Sequence, residues 1–145
     1  MKHIFKKICI ASDHAGYKFK ESIKEFLIQK NISIIDLGPA NENSVDYPDY
    51  AMKVSRRIVS KKSDAGILIC GSGTGMAISA NKSKGIRAAV CYNSKSTTLS
   101  RQHNDANIIS IGSRMTKRNI ALKLVSIFLK TKFEGGRHLK RVKKI

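Results

Sequence analysis

Residues 66–82 read GILICGSGTGMAISANK and contain the pattern that decides the fold. An apolar run that ends at Cys70 is followed by glycines at every second position, Gly71, Gly73 and Gly75, and then by a segment with helical character. This order predicts a buried strand, a loop and a helix, the repeating unit of α/β proteins. The thiol of Cys70 then stands where the strand meets the loop.

The same alternation extends through the rest of the chain. Short apolar runs predict four further strands, at residues 8–11, 32–37, 86–91 and 108–111. Helical segments are predicted between and after them, around residues 19–27, 47–58, 75–82, 94–102 and 120–128, with a last short basic helix at about 136–145. We therefore expect a three-layer Rossmann-like sandwich, a five-stranded parallel sheet with helices on both faces. No linker or repeat interrupts residues 1–145, so we expect one domain.

Composition narrows the class of protein. Hydrophobic residues make up 41% of the 145 residues, which is ordinary for a globular domain. No apolar run approaches the roughly 18 residues of a membrane span, and the basic start lacks the apolar region of a signal peptide. The three cysteines are odd in number and show no CxxC spacing, which favours a reducing, cytoplasmic setting.

The net charge of +18 raises the alternative of a nucleic-acid-binding protein. The lysines are scattered along the helices, however, and only residues 137–144 form a dense basic block. We therefore interpret the charge as a solvated surface combined with recognition of an anionic substrate. Nonspecific binding of nucleic acid at low salt is still expected.

In a parallel sheet, ligands bind at the carboxyl ends of the strands. At those ends the sequence places Asp13 and His14, then Cys70 with its glycine loop, and then Arg114. The loop is not the dinucleotide fingerprint, because that motif needs glycine where this chain has Met76, and it does not fit the P-loop pattern. Its backbone N–H groups suit an anion. A plain tight turn is the alternative, but such a turn does not need three glycines.

Each candidate residue also has a structural interpretation. A helix N-terminus next to Cys70 favours the reactive thiolate, whereas a lone cysteine is often only a small buried hydrophobe. We assign that structural role to Cys9 and Cys91. His103 can be a loop or capping residue, and Asp13 can be an N-cap.

Two features of the remaining sequence bear on the kind of site. Arg137 and Arg141 share one helix face and can clamp a phosphate, or can belong to a solvated basic tail. No His, Cys, Asp and Glu set has metal-ligand spacing. The residues alone thus predict a thiolate beside an anion-binding loop, and leave open whether it transfers a proton or attacks as a nucleophile.

Taken together, the motifs resemble the ribose-5-phosphate isomerase B family. The matching segments run in the family's order along the chain: residues 11–16 (ASDHAG), 46–50 (DYPDY), 66–73 (GILICGSG), 80–82 (ANK), 85–88 (GIRA), 100–107 (SRQHNDAN) and 133–138 (FEGGRH). The resemblance implies interconversion of D-ribose 5-phosphate and D-ribulose 5-phosphate through a cis-enediolate, without metal or cofactor.

The resemblance also implies a role for individual residues. Cys70 matches the family's base, which in some relatives is a glutamate at the position of Met76. His103 matches the acid that opens the sugar ring, with Asp13 assisting, and Ser72 matches a hydroxyl that is often threonine. Other positions match the family's contacts to the substrate. These are Gly71, Gly73, Thr74 and Gly75 for the enediolate, Tyr47 and Asn104 for the sugar, and His14, Arg114, Arg137 and Arg141 for the phosphate.

The family resemblance further implies a homodimer, sometimes paired into a tetramer, with active sites shared between copies. The related galactose-6-phosphate isomerase subunits lack the cysteine, so Cys70 favours the ribose enzyme, and allose 6-phosphate stays open as a substrate. Two other classes are alternatives: a sugar-phosphate-binding protein without chemistry and a nucleic-acid-binding protein.

Overall fold

Five parallel strands form one sheet in the computed structural model, which describes residues 2–145. The strands are β1 (Ile8–Ser12), β2 (Ile34–Asp36), β3 (Ala65–Cys70), β4 (Ala88–Val90) and β5 (Ile108–Gly112), and their order across the sheet is β2-β1-β3-β5-β4. The central three strands are wholly buried, whereas the edge strands β2 and β4 are partly exposed.

Residues 2–145 contain six helices. They are α1 (Tyr17–Gln29), α2 (Tyr47–Val59), α3 (Thr74–Ala80), α4 (Ser94–Gln102), α5 (Arg118–Lys130) and α6 (Arg137–Val142). Helices α2 and α3 pack together on one face, and α1, α4 and α5 pack on the other. The predicted three-layer sandwich is therefore confirmed. Within residues 2–145, no helix has the length and apolar character needed to cross a bilayer.

The alternation of side chains along each strand separates the two cores. Ile8 and Ile10 of β1 enter the core beneath α1 and α5, while Cys9 and Ala11 enter the core beneath α2 and α3. This follows from the two-residue period of a strand, which directs successive side chains to opposite faces. In β3 the same rule places Cys70 on the face covered by α2 and α3.

The predicted strands at 32–37 and 86–91 were too long at both ends. The structure limits them to Ile34–Asp36 and Ala88–Val90, the two edge strands. Each edge strand has a hydrogen-bonded neighbour on one side only, so the ladder ends sooner there than in the centre. The basic tail helix is likewise shorter than predicted, at Arg137–Val142.

The strand order creates the cleft in which a ligand can bind. The chain moves from β1 outward to β2, returns across the sheet to β3, and then continues to the opposite edge. The direction of connection therefore reverses between β1 and β3, and the loops that follow these two strands separate there. Such a switch point is the usual ligand site of an open α/β sheet.

Candidate active site

Three loops at the carboxyl edge of the sheet are tied to one another. The backbone N–H of Asp13, after β1, donates to the Ile69 carbonyl of β3 at 3.1 Å. The N–H of Ser113, after β5, donates to the Cys70 carbonyl at 2.8 Å, and its hydroxyl donates to the Ala15 carbonyl at 2.8 Å. The loops that carry the predicted residues thus form one connected surface.

Cys70 is held at the start of the glycine loop. Its side chain is buried, and its Sγ accepts a hydrogen bond from the N–H of Gly73 at 3.1 Å. The carbonyl of the same glycine accepts from the hydroxyl of Ser110 at 2.6 Å. Gly73 has φ of 79° and serves as the N-cap of α3, so the turn that aims its N–H at the thiol needs glycine.

The glycine loop offers further donors. Among residues 2–145, the N–H groups of Gly71 and Ser72 have no acceptor in the protein, whereas the N–H of Thr74 donates to Ser72 Oγ at 3.2 Å. Ser72 and Thr74 are exposed. Free backbone donors beside a thiol are suited to stabilise negative charge that develops on a substrate oxygen.

Two of the loop glycines lie directly under large side chains. A Cβ on Gly71 would lie 2.9 Å from Arg114 Nη1, and a Cβ on Gly75 would lie 2.3 Å from Tyr47 Cε1. The guanidinium and the phenol ring therefore cover the loop at close range. Both side chains come from positions that the sequence predicted for the site.

Asp13 and His14 flank the loop on the β1 side. Asp13 Oδ1 accepts from the N–H of Gly16 at 2.9 Å, but Gly16, not Asp13, is the N-cap of α1. His14 Nδ1 accepts from the N–H of Val45 at 3.2 Å, so its ring proton is on Nε2. Asp13, His14 and Tyr47 line an open depression of about 500 Å³.

The remaining predicted residues lie at the opposite edge of the sheet. His103 is the C-cap of α4, and Asn104 follows it in the connection that enters the amino end of β5. The five residues of β5 span about 17 Å at about 3.3 Å per residue. Because Cys70 is the last residue of the neighbouring strand β3 and pairs with Gly112 at the carboxyl end of β5, His103 and Asn104 of the same chain do not join its site.

Helix α6 also packs at this amino edge. The ring of His138, its buried residue, stacks on the ring of His103 with centroids 4.1 Å apart and planes at 13°. Arg137 and Arg141 of the same helix are exposed. Burial, reinforced by the nearby charges of His103 and Arg137, lowers the pKa of His138.

The two halves of the predicted site are therefore separate surfaces of one chain. We call Asp13, His14, Tyr47, the loop 70–75 and Arg114 the carboxyl-edge half. We call His103, Asn104, Arg137 and Arg141 the amino-edge half.

The sequence analysis missed a group that the fold assembles at the amino edge. His103, Glu134 and His138 bring one potential ligand atom each to within 4.8 Å of one another. The sequence spacing gave no such set, and the fold brings this one together. The one available signal was the spacing of Glu134 and His138, which lie four residues apart, while His103 joins them only through the fold.

Small residues at the end of β5 also escaped prediction. Ser110 and Ser113 anchor the loops as described, and a Cβ on Gly112 would lie 2.6 Å from the backbone of Ser72. These residues hold the loops in place. Their only signal in the sequence is a run of small side chains after an apolar strand.

The other two cysteines have the structural role predicted for them. Cys9 and Cys91 are fully buried, and burial raises the pKa of both thiols. A thiol in this state remains protonated and packs as a small hydrophobe.

Comparisons with known proteins show the family of the chain. A family model described as Ribose/Galactose Isomerase matches residues 8–145. Ribose-5-phosphate isomerase B of Escherichia coli is 43% identical over 97% of this chain and 94% of its own length. A structure of ribose-5-phosphate isomerase B from Clostridium thermocellum superposes with a TM-score of 0.94 at 49% identity, covering 95% of this chain and 93% of that one.

A second solved structure carries a ligand. Ribose-5-phosphate isomerase B from Mycoplasma genitalium, with bound ribulose-5-phosphate, gives a TM-score of 0.90 at 43% identity and covers 95% of this chain and 92% of that one. The fold and the site define an α/β enzyme with a thiol beside a glycine loop. The chain belongs to the ribose/galactose isomerase family.

Proposed function

We propose that this protein interconverts D-ribose 5-phosphate and D-ribulose 5-phosphate. The observation that carries the proposal is the contact of Cys70 Sγ with the N–H of Gly73, in a loop whose neighbouring N–H groups are free. One junction thus combines a candidate base with donors for a developing oxyanion. The identity to ribose-5-phosphate isomerases B over nearly the whole chain supports this substrate.

The chemistry is a proton transfer between adjacent carbons. The Cys70 thiolate takes the proton from C2 of the open-chain aldose, and the electron pair moves onto O1 to form the cis-enediolate. The N–H groups of Gly71 and Ser72 stabilise that oxygen. The thiol then returns the proton to C1, and the O2 proton passes to O1, a transfer for which the exposed Ser72 hydroxyl is positioned.

The substrate phosphate needs hydrogen-bond donors and cations at the far end of the sugar. His14 and Arg114 lie on the carboxyl-edge half and supply two donors from the chain that carries Cys70. Arg137 and Arg141 are exposed on the amino-edge half, with no carboxylate partner among the described residues. Guanidinium groups are well suited to bind phosphate by two parallel hydrogen bonds.

The same two halves support an assembly of at least two copies. Because about 17 Å of sheet separates them in one chain, His103, Asn104, Arg137 and Arg141 reach a Cys70 site only from a second copy. In that copy His103 opens the sugar ring, and Asp13 of the first chain assists it. A homodimer, alone or paired into a tetramer, completes each site in this way.

The test is a side-by-side isomerase assay with ribose 5-phosphate, allose 6-phosphate and galactose 6-phosphate on the purified protein. We expect the highest kcat/KM with ribose 5-phosphate. A clear preference for a hexose 6-phosphate would reassign the substrate within the family. Tight binding of ribose 5-phosphate without turnover would instead make the protein a binding module.

A further inference from the structure

The cluster formed by His103, Glu134 and His138 has the composition of a transition-metal site. His138 Nε2 lies 3.5 Å from Glu134 Oε2, and His103 Nε2 lies 4.0 Å from the same oxygen. Two imidazoles and one carboxylate are a ligand set used for Zn²⁺ and for other first-row divalent ions.

An ion requires the three ligands to move closer together. Zn²⁺ binds nitrogen and oxygen ligands at about 2.0–2.2 Å, so two ligands of a tetrahedral ion lie roughly 3.4 Å apart. The imidazole–carboxylate separations of 3.5 and 4.0 Å are near this value, and all three ligand atoms lie within 4.8 Å of one another. The stacked imidazoles must rotate out of their parallel arrangement, because each nitrogen lone pair lies in the plane of its ring.

Exposure gives two of the ligands the freedom to make that adjustment. The side chains of His103 and Glu134 are 37% and 49% exposed, whereas that of His138 is only 8% exposed. The buried ring is fixed by its surroundings, and the two other ligands can close around an ion from the solvent side. Three protein ligands leave a fourth position for water, as in an open zinc site.

We propose that His103, Glu134 and His138 form an inhibitory site for a divalent transition-metal ion, with Zn²⁺ the best-fitting candidate. The inhibitory effect rests on the proposed function, in which His103 opens the sugar ring. An ion on Nε2 of His103 removes the proton from that nitrogen and ties the imidazole to Glu134 and His138, which opposes its use as the ring-opening acid. The binding of the ion does not depend on the enzyme's activity and is testable separately.

The binding experiment uses the full-length protein after removal of metals with a chelator. Every protein in this experiment also carries Cys70→Ser, because a thiolate is itself a strong Zn²⁺ ligand. Zn²⁺ is titrated by calorimetry, and Co²⁺ is titrated by visible absorption. We expect one site per chain and a Co²⁺ spectrum without a thiolate band.

Matched variants locate the ion. Glu134→Gln and His138→Gln should each weaken Zn²⁺ binding by at least about tenfold, since even residues that only support metal ligands contribute about 10–100-fold. Glu25→Gln, an exposed glutamate on α1, should leave the affinity unchanged. Equal affinity in all four proteins, or no stoichiometric binding in the parent, would overturn the proposal.

The activity experiment uses the chain with its native cysteines. Zn²⁺ should inhibit turnover of ribose 5-phosphate, a chelator should restore it, and Glu134→Gln should require at least about tenfold more Zn²⁺ for half-inhibition of its own rate. Equal inhibition of Glu134→Gln and the parent would place the inhibitory ion on Cys70 and overturn the inhibitory role. A protein that binds Zn²⁺ at the cluster but has no isomerase activity would refute the proposed function and leave the metal site standing.

Discussion

At the scale of single residues, the three cysteines show how position determines the chemistry of one side chain. Cys9 and Cys91 are enclosed in the apolar cores, and burial raises the pKa of each thiol. Cys70 is also buried, but a backbone N–H points at its sulfur. The thiols of Cys9 and Cys91 instead donate to backbone carbonyls, so Cys70 is the cysteine whose sulfur accepts from the glycine loop.

Replacing this thiol should therefore remove the chemistry and leave the fold intact. We expect Cys70→Ala to lower kcat by about 10²–10⁴-fold, the range typical of a lost general base. Cys91→Ala is the control and should keep its kcat, although both variants lose a small buried side chain. Steady-state kinetics on ribose 5-phosphate, with circular dichroism to check folding, measure the effect. Near-normal turnover by Cys70→Ala would require a different base.

Alanine substitutions at two glycines with positive φ separate the effect of backbone strain on stability from the effect of displacing the glycine loop. Gly85 has φ of 91° and open space where a Cβ would be, whereas a Cβ on Gly73 would lie 3.0 Å from the backbone of Ile111. Gly85→Ala should lower the free energy of unfolding by roughly 1–2 kcal/mol, the cost of a left-handed alanine, and leave kcat unchanged.

Gly73→Ala adds a steric conflict to the same strain. It should cost more stability than Gly85→Ala and should also lower kcat, because the N–H that faces Cys70 moves with the backbone. Urea unfolding and steady-state kinetics on both variants make the comparison. The interpretation would be wrong if the two variants lost equal stability and both kept full activity.

At the scale of elements, the contact between α1 and β2 depends on a buried lysine. The side chain of Lys20 is fully buried, and its Nζ donates to both oxygens of Asp36, at 2.9 and 2.7 Å. Glu21 and Lys24 of the same helix extend this into a network. Burial alone would raise the pKa of Asp36, but hydrogen bonds from Lys20 and Lys24 outweigh it and lower that pKa.

Removing the carboxylate should be costly at neutral pH. Asp36→Asn leaves the Lys20 ammonium buried with Glu21 as its remaining carboxylate partner, so we expect a loss of about 3 kcal/mol in the free energy of unfolding. Glu25→Gln, on the exposed side of the same helix, is the control and should change stability by less than about 0.5 kcal/mol. If Asp36→Asn changed the free energy of unfolding as little as Glu25→Gln does, the network would contribute little to stability.

The pH dependence gives an independent measure of the same network. The folded-state pKa values of Asp36 and Glu21 are both lowered, so their stabilisation is complete above the unfolded value of about 4 and is lost as the pH falls through the folded values. Urea unfolding from pH 7 down to pH 3 should show this loss. Asp36→Asn should show a smaller loss over the same range.

The elements also show which parts of the fold the sequence predicts. Central strands such as β3 were assigned nearly to their ends, because an unbroken apolar run needs burial on both faces. The bounds of β2 depend on how many of its residues pair with Ile8–Ile10 of β1. The residues of β2 alone do not encode this pairing. The loop of Gly71–Gly75 was predicted because glycines at this spacing have few other uses.

At the scale of the whole molecule, the residues that motifs predicted for one site lie at opposite edges of the sheet. Residue types and motif order predict roles for Cys70 and His103 but contain no information on whether one chain can bring them together. Topology shows that within one chain they are apart, since Cys70 ends β3 and His103 precedes the neighbouring strand β5. The cluster around His138 was missed for the same reason, because its members meet only after α6 docks beside α4.

Mixed assemblies test the sharing of sites directly. Cys70→Ala and His103→Asn chains, each inactive alone, should regain activity when unfolded and refolded together. In a random mixture of dimers, about a quarter of the sites then combine two intact halves. The control mixes Cys70→Ala with Asp13→Ala, two lesions on the carboxyl-edge half, and should stay inactive. An inactive first mixture that still forms hybrid dimers would place both residues in a single-chain site.

If two copies share each site, as we propose, the placement of the two halves on opposite edges makes turnover a collective property. An isolated chain would be fully folded yet silent, so specific activity would fall upon dilution, without unfolding, at concentrations near the dissociation constant of the assembly. Rate would then rise with the square of chain concentration in the most dilute range and linearly above it. A cell that halves its supply of this chain there would lose more than half of the flux, a threshold response that requires no effector molecule.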